Sequence, residues 1–267
     1  LDEAGQMESV VGISNWALDP AKMNRAVHLY RPAPTVEDLS LTAEGMVRSA
    51  NLKGYLQALA RAYNQVYHNQ KHADFWGLRE FYSTVRAINM ALQEKRQKEG
   101  TQNVALDPVT LLDAVLRNFG GRPMETDDVI AIFFRQLGLP VPVREELLAR
   151  DVESLVCSNL SEPEARHLML LTKNNAALGL VFDRQILIHD KTEIIFGSDF
   201  PLDQTDLQVC LDIQRVKLCM AEGITVVLVH GERLYESLYD LLNQHYSSYG
   251  GQMYVRLAFG THSRLCP

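Results

Sequence analysis

The sequence predicts two α/β parts with parallel strands, separated by an all-α insert. Three observations carry this. Short apolar runs ending in polar turns lie near both ends of the 267-residue chain. In the C-terminal part these runs alternate with helical segments, which implies parallel strands joined by right-handed crossovers. Residues 32–158 instead repeat apolar positions at helical spacing.

In residues 1–31, Val10-Val11-Gly12-Ile13-Ser14-Asn15 reads as a buried strand whose C-terminal end carries chemistry. Pro20 opens a helical turn, and residues 26–30 read as a second strand. Arg31-Pro32-Ala33-Pro34 cannot be helix. Thr35 is a good N-cap, with Asp38 at the capping-box position where Glu or Gln is usual. Leu56, Leu59, Ala60, Tyr63 and Tyr67 share one helical face, as do Leu78, Phe81, Val85, Ile88 and Leu92. Helices follow near 107–119, 126–137 and 144–157, separated by Gly120-Gly121 and Gly138-Leu139-Pro140. From residue 159 onward the texture changes. Strands are expected at 168–171, 193–196, 224–229 and 254–259, and helices at 175–182, 207–222 and 235–246. The domain boundaries expected from texture are 1–31, 32–158 and 159–267. No repeat at a solenoid period is present.

The net charge of −7 argues against nucleic acid as the main partner, because phosphate binding favours a basic stripe. No run approaches the ~18 apolar residues of a membrane span. Leu1 is followed at once by Asp2 and Glu3, which is no signal peptide. Cys157, Cys210, Cys219 and Cys266 lack CxxC spacing and read as reduced thiols of a cytosolic protein. The chain opens without Met and stops after an apolar run, so a piece of something longer is expected.

Four positions carry chemistry in order. Asp2-Glu3 is an acidic pair that can hold Mg²⁺ through Asp2 and polarise water through Glu3; a solvated charge pair is the plainer reading. Asn15 ends a strand, where a short amide can orient a water beside a γ-phosphate; it is otherwise a turn residue. Arg25 follows a short helix and can reach a neighbouring nucleotide as an arginine finger, or else is a surface Arg. Arg79 opens a helix against the dipole preference and so invites an anion; the plainer reading pairs it with Glu80 or Asp74. Walker B, sensor 1, arginine finger and sensor 2 occur in this order in AAA+ ATPases. The expected fold is therefore a P-loop NTPase of AAA+ type. It comprises the C-terminal part of one unit with its helical lid, then the N-terminal part of the next.

The wording of the chain agrees. Gly12-Ile13-Ser14-Asn15-Trp16-Ala17-Leu18-Asp19-Pro20-Ala21-Lys22-Met23-Asn24-Arg25 closely resembles the mysterin family of giant, dynein-like AAA+ ubiquitin ligases. So do residues 75–85, Leu171-Thr172-Lys173-Asn174, Glu193-Ile194-Ile195-Phe196-Gly197-Ser198, residues 233–240 and Phe259-Gly260-Thr261-His262. The resemblance implies ATP and Mg²⁺, with neighbouring AAA+ units of the same chain as partners. It also implies ubiquitin machinery reached through other domains, and a cytosolic protein associated with lipid droplets. The ligase chemistry lies elsewhere, since no RING-type Cys/His cluster occurs here.

The second unit departs from the pattern. Lys173 sits where a Walker lysine belongs, but the glycines of GxxxxGK[ST] are missing. Val226-Val227-Leu228-Val229-His230-Gly231-Glu232 lacks the Walker B Asp, leaving Glu232 to stand in for the catalytic Glu. A structural, decayed unit is the competing expectation. Few residues separate Glu3 from Asn15, where AAA+ folds place a whole helix, so a missing segment is expected. The first unit's phosphate loop is not in the chain, nor is the second unit's finger. The fragment alone is therefore expected to be inactive. His68 and His72 have metal-ligand spacing but no Glu between them, and read as a solvated pair. Gly250-Gly251 reads as a turn. Trp16 and Trp76 read as core or interface residues.

Overall fold

Pro20 starts a single helical turn, α1 (Pro20–Met23), because its fixed φ suits a first helical position. The computed structural model describes residues 11–13, 19–30, 32–47, 50–72, 75–100, 104–148, 151–162, 165, 167–201, 203–259 and 262–266. Of the strand expected at 10–15, only Val11, Gly12 and Ile13 fall among them, exposed and without strand structure. The strand expected at 26–30 does not form, and Val27 and Leu29 are 91% and 93% exposed. Alternation supplies a strand's faces but not its ladder, and no described residue pairs with this segment.

The chain divides into two compact units, Leu1–Ala105 and Leu106–Pro267. The first is held by α2 (Val36–Met46), α3 (Ala50–Lys53), α4 (Leu56–Asn69) and α5 (Leu78–Glu99). Thr35 caps α2 as expected. Its hydroxyl accepts from the Asp38 N–H at 3.1 Å, and the Asp38 carboxylate accepts from the Thr35 N–H at 3.0 Å. Leu56, Leu59, Ala60 and Tyr63 of α4 are buried against Phe81, Val85, Ile88 and Leu92 of α5. Tyr63 stacks on Phe81 at 5.1 Å between ring centroids. Leu78 is the exception on its expected face, being exposed at the first position of α5.

The second unit opens with α6 (Pro108–Phe119) and α7 (Pro123–Gln136), which pack through Phe119 and Phe133, 5.2 Å apart. The helix expected over 144–157 is two: α8 (Arg144–Leu148) and α9 (Val152–Ser161). Asp151 adopts extended backbone and accepts from the Ser154 N–H at 2.6 Å, starting a new helix rather than continuing the old one. Arg117 of α6 donates to Glu162, just past α9, at 2.5 Å.

The α/β part follows: α10 (Ala176–Asp183), β1 (Thr192–Phe196), α11 (Asp206–Glu222), β2 (Thr225–Val229), α12 (Tyr239–Leu242), β3 (Tyr246–Tyr249), β4 (Gln252–Phe259) and β5 (His262–Cys266). β1 and β2 pair in parallel, with Ile195 opposite Leu228, and α11 provides the crossover. Three expectations are corrected. Residues 168–171 are not a strand: Met169 and Leu171 are exposed, and neither β1 nor β2 pairs with them. The helix expected over 235–246 is reduced to α12, because Gln244 turns left-handed at φ 58°. β4 covers the expected 254–259 strand but runs antiparallel between β3 and β5. Gly250 and Gly251 form the turn joining β3 to β4, at φ 58° and 81°, where a side chain would be strained.

One core serves both sheets. Ile195 of β1, Ile213 and Val216 of α11, Leu234, Leu238, Val255 and Leu257 of β4 and Cys266 of β5 are all buried in it. Full burial of such side chains stabilises by roughly 1.5–3 kcal/mol each. Arg215 fastens α11 to β1: it bridges Glu193 and, at 3.1 Å, Asp212. Its pKa is raised by the hydrogen bond it donates to Glu193, against partial burial and with help from Asp212. No helix among the described residues is long and apolar enough to cross a membrane.

Candidate functional site

Gly77 takes an extended backbone before α5, and Glu80 reaches back to accept its N–H at 2.6 Å. This half of a capping box satisfies one orphan donor of the helix. It also commits the Glu80 carboxylate to the backbone. Arg79, between them, is exposed and makes no hydrogen bond or ion pair with any described residue, Glu80 included; Asp74 lies outside the described residues. A guanidinium in the first turn of a helix faces the positive end of the dipole, so an anion there is favoured on both counts.

Arg79 lines a cleft of about 500 Å³ within the first unit. Ala33 and Pro34, ahead of α2, form one wall. Tyr63, Asn64, Tyr67 and His68 of α4 form the second, and Phe75 and residues 77–80 form the third. The volume falls within the range of small-molecule sites, roughly 300–1,000 Å³. Asn64 and His68, like Arg79, have no hydrogen-bond partner among the described residues.

The wall holding Arg79 is set by Trp76, buried as expected, and by Gln70, which sequence reasoning missed. The Gln70 amide donates to the carbonyls of Tyr67 and Trp76 at 3.0 and 3.2 Å, and its carbonyl accepts from the Trp76 N–H at 2.9 Å. Trp76 is buried below this staple. The staple ties the end of α4 to the approach of α5. A glutamine bonding six residues ahead has no sequence motif, so nothing in the pattern could have found it.

Asp2, Glu3 and Asn15 lie outside the described residues, and with them the expected Mg²⁺ position. Arg25 is exposed in the turn after α1 and has no partner among the described residues. Among the described residues, no cluster of three or more His, Cys, Asp or Glu could hold a metal ion.

Lys173 is exposed in the turn that opens α10. Asn174 and Asn175 follow at φ 54° and 55°, the conformation a phosphate loop obtains from glycine and that Asn tolerates best among other residues. The donors at the head of α10 are already taken, however. Ala176 N–H reaches the Lys173 carbonyl at 3.2 Å, Ala177 N–H the Thr172 hydroxyl at 3.1 Å, and Leu178 N–H the Asn175 carbonyl at 2.9 Å. A phosphate cradle needs such N–H groups free, so this turn does not fit a phosphate as it stands. Glu232 is exposed in the short turn after β2, beyond His230 at φ 52°.

Two models described as "RNF213 AAA domain" match the chain, over residues 157–267 and 2–38. The human E3 ubiquitin-protein ligase RNF213 is 39% identical over 275 aligned residues, and the mouse protein of that name 40% over 270. Zebrafish E3 ubiquitin-protein ligase rnf213-beta is 36% identical over 268. Each alignment covers 96% of this chain, which spans only 5% of the relative's length.

Proposed function

The chain belongs to the RNF213 family, as a stretch of its AAA region, and from that premise we propose that it is part of an ATP-driven motor core in a giant E3 ubiquitin-protein ligase. ATP hydrolysis there changes the conformation of a ring of AAA+ units and so regulates ubiquitin transfer by other domains. Residues 1–31 close the α/β subdomain of one unit, 32–158 form its helical lid, and 159–267 begin the next. Its partners are the neighbouring units of the same chain and, through other domains, the ubiquitin machinery. The protein is cytosolic and associates with lipid droplets.

In this reading Asp2 holds Mg²⁺, Glu3 is the general base and Asn15 positions the attacking water. Arg25 points at the preceding unit's nucleotide. Arg79 binds the γ-phosphate of its own unit, its planar fork suiting two phosphate oxygens at once. The observation that carries this reading is Arg79, without a partner among the described residues, on the wall of a cleft of about 500 Å³. A second reading holds for residues 159–267: a scaffold without nucleotide, despite Lys173 and Glu232. What favours it is the closed set of hydrogen bonds at the head of α10.

ATP binding to the full-length protein tests both. Arg79→Ala should weaken binding roughly ten- to a hundredfold, since hydrogen bonds to charged groups contribute about 1.5–3 kcal/mol. Lys173→Ala should leave it unchanged. The reverse pattern would make the second unit the working site and overturn the assignment.

A further inference from the structure

The sheet of β3, β4 and β5 turns one face to the core and the other to solvent. Val255 and Leu257 of β4 are buried, so Tyr254 and Arg256, which alternate with them, point the opposite way. The register adds neighbours on that side: Tyr249 of β3 lies opposite Gln252, and Leu265 of β5 lies opposite Arg256. Tyr249 is 76% and Leu265 51% exposed. The Tyr254 hydroxyl donates to the Gln252 side chain at 3.1 Å, which holds the ring along the strand. Arg256 is exposed on the central strand and has no hydrogen-bond or ion-pair partner among the described residues. These side chains run diagonally across the sheet from Leu265 to Tyr249. Strand geometry puts those two ends about 16 Å apart, the length of about five extended residues. Tyrosine and arginine are also enriched at the energetic centres of protein interfaces.

Charge separates this face from the rest of the chain. Residues 241–267 contain Arg256 and Arg264 and no Asp or Glu, whereas the whole chain carries −7. An acidic partner is repelled elsewhere and drawn here, so the pattern sets where it lands. A segment tethered nearby needs no such steering, so the pattern fits a separate protein. Nucleic acid needs many phosphate contacts against that net charge, whereas a short protein segment needs one carboxylate on Arg256. We propose that the outer face of β3–β5 docks an acidic segment of a separate protein, with a carboxylate on Arg256 and apolar side chains over Leu265 and the two tyrosines.

The test is fluorescence anisotropy of a short labelled peptide of glutamates flanked by leucines, titrated with the full-length protein. Its counterpart with lysine in place of glutamate, and labelled oligouridylate, are titrated in parallel. Arg256→Glu should weaken the glutamate peptide roughly tenfold or more, because a charge-assisted bond becomes a repulsion. Tyr249→Ala should weaken it about three- to tenfold. Arg256→Lys should keep part of the affinity, and added salt should weaken wild type more than Arg256→Glu. The lysine peptide should gain nothing from wild-type Arg256. Hydrogen exchange of β4 reports whether the sheet holds, and Tyr249→Ala decides the matter if Arg256→Glu loosens it. No binding by wild type, or binding unchanged in both Arg256→Glu and Tyr249→Ala, overturns the proposal. Oligouridylate affinity that falls in Arg256→Glu while the glutamate peptide binds as before also overturns it, and assigns the face to nucleic acid. A dimer seen by light scattering and dissociated by Tyr249→Ala overturns it in favour of a second copy.

Discussion

Gly197→Ala puts one methyl group where β1 meets the end of β2. An added Cβ there would lie 1.7 Å from the His230 carbonyl oxygen and 2.7 Å from its carbon. Real Cβ contacts essentially never fall below 3.0 Å, so the gap must open by 1.3 Å, the difference between the two distances. Backbone atoms cannot rotate aside as a side-chain tip can. The shift pulls apart the hydrogen bond from the Gly197 N–H to the Val229 carbonyl, now 2.7 Å. Losing that bond costs about 1 kcal/mol and the strain of overpacking a further 1–3. The total of roughly 2–4 kcal/mol, at ~2 kcal/mol per molar urea, lowers the midpoint by about 1–2 M. Hydrogen exchange of peptides holding β1 and β2, read against urea, gives that midpoint. Gly45→Ala is the control: its Cβ meets nothing within 4 Å in α2, and the change should be neutral or stabilise by up to about 1 kcal/mol. A Gly197→Ala midpoint within about 0.3 M of wild type would refute the argument from close approach.

Thr35→Ala removes the reciprocal cap of α2 and should cost about 1 kcal/mol, visible as faster exchange in the first turn of that helix. Arg117 and Glu162 are 17% and 14% exposed, so Glu162→Ala strands a half-buried guanidinium; a loss of about 1–3 kcal/mol in urea unfolding is expected, and Arg117→Met with Glu162→Leu should recover most of it. Burial, and then the charges of Glu193 and Glu222, raise the Cys219 pKa. At pH 8, iodoacetamide should therefore label exposed Cys157 well before Cys219, as peptide mass spectrometry would read. The folded thiol keeps its proton longer than the unfolded one. Its contribution is thus complete below the ordinary value of 9.0 and is lost as pH rises above it, so Cys219→Ala should flatten the alkaline fall in stability.

Local signals in this sequence proved legible, and non-local ones did not. Thr35 and Asp38 are three residues apart and carry their hydrogen bonds between them, so the cap could be read directly. The apolar faces of α4 and α5 were legible for the same reason: each helix satisfies its own backbone. Strands are different, because their ladder lies elsewhere in the chain. Residues 26–30 and 168–171 have strand composition without a strand partner among the described residues, whereas Tyr246, read as the last residue of a helix, starts β3 once β4 lies beside it. The Gly250-Gly251 turn was recognised without the hairpin it implies. At the site, Arg79 stood out because it opposes the helix dipole. Gln70 did not, because its bonds to Trp76 form only once the chain between α4 and α5 folds back on the end of α4.

The self-contained head of α10 has a consequence for anyone installing phosphate binding there by engineering. Replacing Asn174 and Asn175 with glycine would relax a left-handed backbone that is already in place, and would free no donor. The obstruction is the Thr172 hydroxyl on the Ala177 N–H and the Lys173 carbonyl on the Ala176 N–H. A gain of phosphate affinity therefore calls for a longer loop that lifts residues 172 and 173 off the helix, with the left-handed pair kept as it is. The left-handed angles suit a phosphate loop, and the hydrogen-bonding capacity beneath them is already occupied.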